Sequence, residues 1–328
     1  MRILNWVVAL GMGALAGAAS LAGCGGDDSG EEAATTGTPA GNCAQTNPVC
    51  TAVDSECVAL VDNREEPTFG LRMSQLTITK PDILAGPTIG KIVSDAVRMN
   101  LQQCHFNGTG TFSWLLEFDS AAGTVRTGGA LPQADPTKGY CFVDTMIGAF
   151  PIQPITVAAP IAGGKFNADV GDLIVPIFLS TDLNSTPITL PLHKAKLTNG
   201  TLSADNNCIG RYNAEGLDPD NLCLADENNP AFFNGAELTA FITIEEADEV
   251  EVEDLAQSLC VILSGDPGSY GDGGDPINHC LRDASDTITL KGDWCSATNS
   301  PATADCDDAF LLGAEFAASG VKITGICP

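Results

Sequence analysis

Thr111–Asp119 reads TFSWLLEFD, and these nine residues decide between helix and strand for the body of the chain. Phe112, Trp114, Leu116 and Phe118 recur at a period of two, with Ser113, Glu117 and Asp119 between them and Leu115 as the one exception. A helix would space its apolar residues three and four apart. Successive strand side chains point to opposite faces, so the stretch predicts a half-buried strand.

The same character returns at short intervals: Leu71–Thr79, Tyr140–Asp144, Ile155–Ala159, Leu173–Leu179, Ile188–Leu192, Glu237–Ile244, Thr287–Leu290 and Val321–Ile323. Turn-forming clusters of Gly, Pro, Asn and Asp separate these runs, as in AAGTVRTGGALPQADPTKG at residues 121–139. Many short strands between turn signals predict a mainly β body, an antiparallel sandwich or partly open barrel rather than a βαβ repeat. Pro176, Pro187 and Pro191 mark edges or bulges in it, because proline gives no N–H to a ladder.

Three amphipathic helices are expected among the strands. Ile89, Ile92, Val93, Ala96 and Val97 follow helical spacing after Pro87 and Thr88. Val252, Leu255, Ala256, Leu259 and Leu263 do the same, with Glu251, Glu253 and Asp254 at the start and Gly265 as the stop. A third runs from about Asp308 to Ser319 and closes at Gly320. All three apolar stripes read as core-facing. LTITKPDIL and FITIEEADEV, each a strand followed by an acidic turn and a helix, echo one another too briefly to establish a repeat.

The N-terminus has a different character. Arg2 precedes an apolar run from Ile3 to Ala22, the layout of a secretory signal. The run ends in Leu21-Ala22-Gly23-Cys24, which resembles the lipobox of bacterial lipoproteins. The resemblance implies cleavage before Cys24 and diacylation of its thiol. Two acyl chains give stable anchoring where one is marginal, since each buried methylene contributes about 0.8 kcal/mol. In that class an Asp directly after the cysteine tends to mean inner-membrane retention. Gly25 stands there, so the implied destination is the outer membrane, with the body periplasmic or surface-exposed. The expected organisation is a signal peptide over 1–23, a disordered tether over 24–41, a small Cys-rich lead-in over 42–66 and a β body over 67–328. A composition break near 205–235 also allows two halves.

Composition narrows the functional classes. The 328 residues carry 42 acidic and 15 basic side chains, a formal charge of -27, and from Tyr212 to Leu281 there are 16 acidic residues with no Lys or Arg. A field of that sign repels phosphate backbones, so no nucleic-acid partner is expected. Beyond Cys24, 12 cysteines remain, an even number that in an exported chain reads as a disulfide set. Cys208 with Cys223, Cys260 with Cys280, and Cys295 with Cys306 would each close a short loop. Structural zinc is not expected, because no CxxC pair exists and His105, His193 and His279 are the only histidines.

No GxSxG, HExxH, P-loop or GxGxxG motif is present, which leaves no motif-led case for an enzyme. The candidate cofactor is calcium, with Asp218, Asp220 and Asp226 in GLDPDNLCLADENNP, and Asp266, Asp272 and Asp275 in GDPGSYGDGGDP. Calcium takes six to eight oxygens, and closely spaced carboxylates in a turn supply several. The competing explanation is that Asp, Asn and Gly form turns for conformational reasons. The resulting expectation is a lipid-anchored envelope protein, held to the membrane through Cys24, with a non-catalytic binding or structural role and a surface polymer or protein as partner. The alternative is an envelope polysaccharide enzyme with a carboxylate pair. A third reading, lipid carriage, requires a wide apolar cavity inside the β body.

Overall fold

The structure is a computed structural model and describes residues 51–52, 57–99, 108–148, 150–181, 187–213, 217–218, 224–225, 230–265, 268–270 and 276–328. Its long strands, in chain order, are β1 (Thr68–Lys80), β2 (Ser113–Asp119), β3 (Thr124–Ala130), β4 (Tyr140–Phe142) and β5 (Ile155–Ala158). β6 (Lys165–Ile177), β7 (Ile188–Thr201), β8 (Ala236–Thr243), β9 (Ala309–Gly320) and β10 (Ile323–Ile326) follow. They form one sheet in the order β6-β7-β8-β9-β1-β2-β3-β4-β10, with β5 also paired to β3. Pairing along this path is antiparallel except between β4 and β10. The mainly β expectation is therefore met, in its partly open barrel form: the sheet curls into a half-barrel. Its rolled ends come together where Gly129 of β3 meets Pro176 of β6. A Cβ at Gly129 would lie 2.5 Å from the Pro176 ring, so only glycine permits that approach.

The stretch that decided for β forms β2, between β1 and β3. Its even-numbered set, with Phe69, Leu71 and Met73 of β1, faces the concave core. A register shift near Ser74 then moves the inward set of β1 to Leu76 and Ile78. Leu115, the exception in the alternation, is fully buried on the convex face, in a second cluster with Tyr140, Phe142, Phe232 and Ala317. Both faces of the mid-sheet are thus covered, which is why its strands are not strictly alternating. Arg72 lies on this convex side, fully buried. It donates from Nε to Ser113 Oγ (3.0 Å), from Nη1 to the carbonyls of Met73 and Val97 (both 2.7 Å) and from Nη2 to that of Phe112 (3.0 Å).

Three α-helices occur among the described residues: α1 (Pro87–Val97), α2 (Ile244–Glu249) and α3 (Leu259–Ser264). α1 lies where helical spacing predicts it. The helix expected over Asp308–Ser319 is instead β9, the central strand of the sheet, hydrogen-bonded to β8 on one side and β1 on the other. Its Ala, Leu and Glu content suits a helix locally. Phe310, Leu312, Ala314, Phe316 and Ala318 nevertheless alternate, and two flanking ladders override propensity. The helix expected from Val252 to Leu263 is interrupted: a short strand, a 3-10 turn over Glu253–Leu255 and a left-handed Ala256 precede α3. Ser258 breaks the pattern, because its hydroxyl caps Val261 N–H and also donates to buried Asp248. The Thr287–Leu290 run contributes only an isolated bridge, Arg282 to Ile288.

β1 and β8, which hold the two echoing stretches, are the two neighbours of β9 and run parallel to each other. Each enters a helix at the same end of the sheet. That end is capped by Leu84, Ile244, Val250 and Val261 around the Cys260–Cys280 disulfide. The opposite end is closed by packing: Phe118 stacks on Phe69 at 5.2 Å and meets Phe166 edge-on at 4.9 Å, with Leu202 and Ile209 beside them. The chain also enters at this closed end, where Leu60 N–H donates to Gly320 O and Cys57 bridges Cys208.

Candidate lipid-binding cavity

Between the aromatic floor and the helical end, the half-barrel encloses a cavity of about 320 Å³. Its size follows from the side chains chosen for the central strands. Ala195 of β7, Ala240 of β8, and Gly313 and Ala314 of β9 line it where larger residues would meet in mid-barrel. The walls are Leu76, Val170, Val175, Leu192, Leu197 and Leu238, with Phe112, the residue before β2, and Trp114 of β2. Lining residues on β7 run from Ile188 to Leu197, which at about 3.3 Å per residue is on the order of 30 Å of strand.

The polar groups in this lining have partners already. Trp114 Nε1 donates to Thr127 Oγ1 at 2.7 Å, and the Thr127 hydroxyl donates to Leu115 O at 3.0 Å. Among the described residues, Lys80 is the one titratable side chain that lines the cavity. It sits at the helical end, half exposed, with Nζ 2.9 Å from Asp82. That hydrogen bond, followed by the charge of Asp82, raises the affinity of Lys80 for its proton. An occupant of the interior therefore meets hydrocarbon and no free hydrogen-bonding group.

Exposure rises toward the helical end. Met73, Phe112 and Trp114 are buried, whereas Ile92 of α1 is 50 % exposed, Leu255 45 % and Leu179 42 %, and all three line the cavity. Ile83, 45 % exposed, stands against the α3 terminus at Gly265. These side chains form an apolar rim, so the cavity opens at the helical pole, opposite the aromatic floor. No helix among the described residues is long and apolar enough to cross a membrane.

No family model, curated protein or solved structure matches the chain.

Of the candidate calcium ligands, Asp218 is described as backbone alone, in the two-residue strand Leu217–Asp218, and its side chain is outside the described residues. Asp220, Asp226, Asp266, Asp272, Asp275, Cys24 and Cys223 also fall outside them. Cys260–Cys280 and Cys295–Cys306 are bridged as expected. Cys208 is not paired with Cys223. It bridges Cys57 across 151 residues, because strand Cys208–Ile209 pairs with the end of β9 and brings the lead-in against the body. A fourth bridge, Cys141–Cys327, fastens the C-terminus to β4. Two clusters with metal-ligand geometry exist among the described residues, Asp248 with Cys260 and Cys280, and Cys295 and Cys306 with Asp308. Both spend their sulfurs in disulfides.

Among the described residues, the carboxyl groups with displaced proton affinity are all shifted downward: Asp62, Asp135, Asp172, Asp205, Glu246 and Asp308. A general acid for glycoside cleavage needs the opposite shift. Glu246 illustrates the cause. Burial pushes its carboxyl up, but hydrogen bonds from Thr243 and from His193 Nε2 (2.8 Å) outweigh that and hold it below the usual range. His193 and His279 are thus parts of structural networks, the second with Nδ1 3.0 Å from Asp248 O. Among the described residues no carboxylate lines the cavity.

The cavity was the feature least visible in the sequence. Its lining comes from seven strands and the helical cap, and each residue reads locally as ordinary core. The only available signal was negative: alanine and glycine at inward positions of strands whose neighbours carry leucine and phenylalanine.

Proposed function

We propose that the protein is a lipid-anchored envelope binding protein that takes the hydrocarbon chain of a lipid into its half-barrel. The observation that carries this reading is the cavity itself, about 320 Å³ with an apolar lining whose few polar groups are already partnered. Ligand pockets begin at about 300 Å³. Protein interiors hold few voids larger than a water molecule. A fold that keeps such a space gains by filling it.

The lipobox-like Cys24 supports tethering to the outer membrane. Native mass spectrometry of the chain isolated from envelope without added detergent tests the reading. A stoichiometric adduct of lipid mass, released by organic extraction, is the expected result. A chain that stays free of adducts, both as isolated and after incubation with long-chain lipid, overturns it.

A further inference from the structure

Building on the chain-binding reading above, we infer that the cavity selects lipids whose exposed end is uncharged and discriminates against anionic amphiphiles. The interior recognises only hydrocarbon, so any selectivity for the rest of the molecule resides at the mouth. An anionic end would need a free basic group there, and the mouth provides none among the described residues. Lys80 is held at 2.9 Å by Asp82, Lys91 at 2.9 Å by Asp95, and Arg98 at 3.1 Å by the same Asp95. Asp293 adds a second negative charge close enough to act on Lys80.

The wider rim has the same sign. Segments 80–97 and 250–262, which supply Ile83, Ile92 and Leu255 of the rim, carry Lys80 and Lys91 against Asp82, Asp95, Glu251 and Glu253. Glu251 and Glu253 are exposed and flank cavity-lining Val252. A carboxylate or phosphate seated at the opening meets this field at short range, where salt screens it incompletely. An ester, amide or alcohol end meets no such penalty, and the exposed Ile92, Leu179 and Leu255 extend the hydrocarbon contact beyond the cavity.

The test uses Trp114, which lies in the cavity wall and is quenched on contact by bromine. The mature chain from Cys24, prepared without lipid so that its own acyl chains do not compete, carries Trp294→Phe to leave a single reporter. It is titrated at low salt and neutral pH with dibromostearate, the anionic probe, and with the matching dibromostearoyl glycerol, the neutral one. Quenching by the neutral probe with an apparent Kd about tenfold or more below that of the anion is expected, with the gap narrowing as salt is raised. Asp82→Asn frees Lys80 and should tighten the anion several-fold while leaving the neutral probe unchanged. Equal affinities for the two probes, or an anion preference, overturn the selectivity and leave chain binding standing. Quenching by neither probe in a folded protein overturns both.

Discussion

Replacing Ala314 by leucine tests the cavity through two observables that move in opposite directions. Ala314 lies at the middle of β9, in register with Leu238 on one side and Ile78 on the other, and lines the cavity with both. Three added carbons enter free space there. At about 0.8 kcal/mol per buried methylene the substitution contributes roughly 2.4 kcal/mol, less about 0.5–1 kcal/mol for the rotamer freedom lost by a buried leucine. The ligand-free protein should therefore be stabilised by about 1.5 kcal/mol. The same carbons displace a similar length of bound hydrocarbon, so affinity for a long-chain lipid should fall by about fifty-fold. Ala317→Leu is the control, because Ala317 is fully buried on the convex face, where the packing has no such space. It should lose about 1–3 kcal/mol through overpacking. Urea unfolding read by circular dichroism, together with lipid titration, measures both quantities. A folded Ala314→Leu protein that binds the chain as tightly as the parent, or that is destabilised as much as Ala317→Leu, would refute the reasoning.

Arg72 donates to three carbonyls, those of Met73, Phe112 and Val97, the last at the end of α1. Burial lowers its proton affinity, yet its hydrogen bonds depend on the planar fork. Arg72→Met should cost about 3 kcal/mol or more and Arg72→Lys should rescue little of it, read by denaturant midpoint. Glu246, held below the ordinary glutamate range once its hydrogen bonds outweigh burial, gives stability that is complete above about pH 4.3, where the unfolded side chain is ionised. That contribution disappears as pH falls through the depressed folded value. Glu246→Gln should accordingly lower Tm at pH 7 and show a smaller drop between pH 7 and pH 3.5 than the parent. Cys57–Cys208 closes 151 residues, for which the chain-entropy model gives about 5 kcal/mol, an upper figure because the other bridges already restrict the unfolded chain. Converting both to serine should cut stability sharply while the curled sheet survives, as measured by urea unfolding and far-UV circular dichroism.

The strands that carry large apolar side chains at alternate positions were legible in the sequence, and β2 is the clearest case. β9 was not, because AFLLGAEFAASG is rich in residues that a helix accepts, and only its place between β1 and β8 shows why it is extended. α2 was missed although Thr243 and Glu246 spell a capping box three residues apart, a signal obscured by the strand-like FITI that leads into it. The bridge from Cys57 to Cys208 lies beyond any spacing argument, since it joins residues that only the folded sheet brings together. The cavity is an absence of side-chain volume distributed over distant strands. Periodicity predicts which face is inward and says nothing about how well facing walls meet.

The most direct measurement is a crystal structure of the protein with a brominated long-chain acylglycerol, using the anomalous signal of bromine to locate the chain. A bromine peak within the half-barrel, among Trp114, Leu192 and Leu238, is the predicted result. Bromine only on the outer surface, or a barrel interior filled by its own side chains with no room for the probe, would contradict the account.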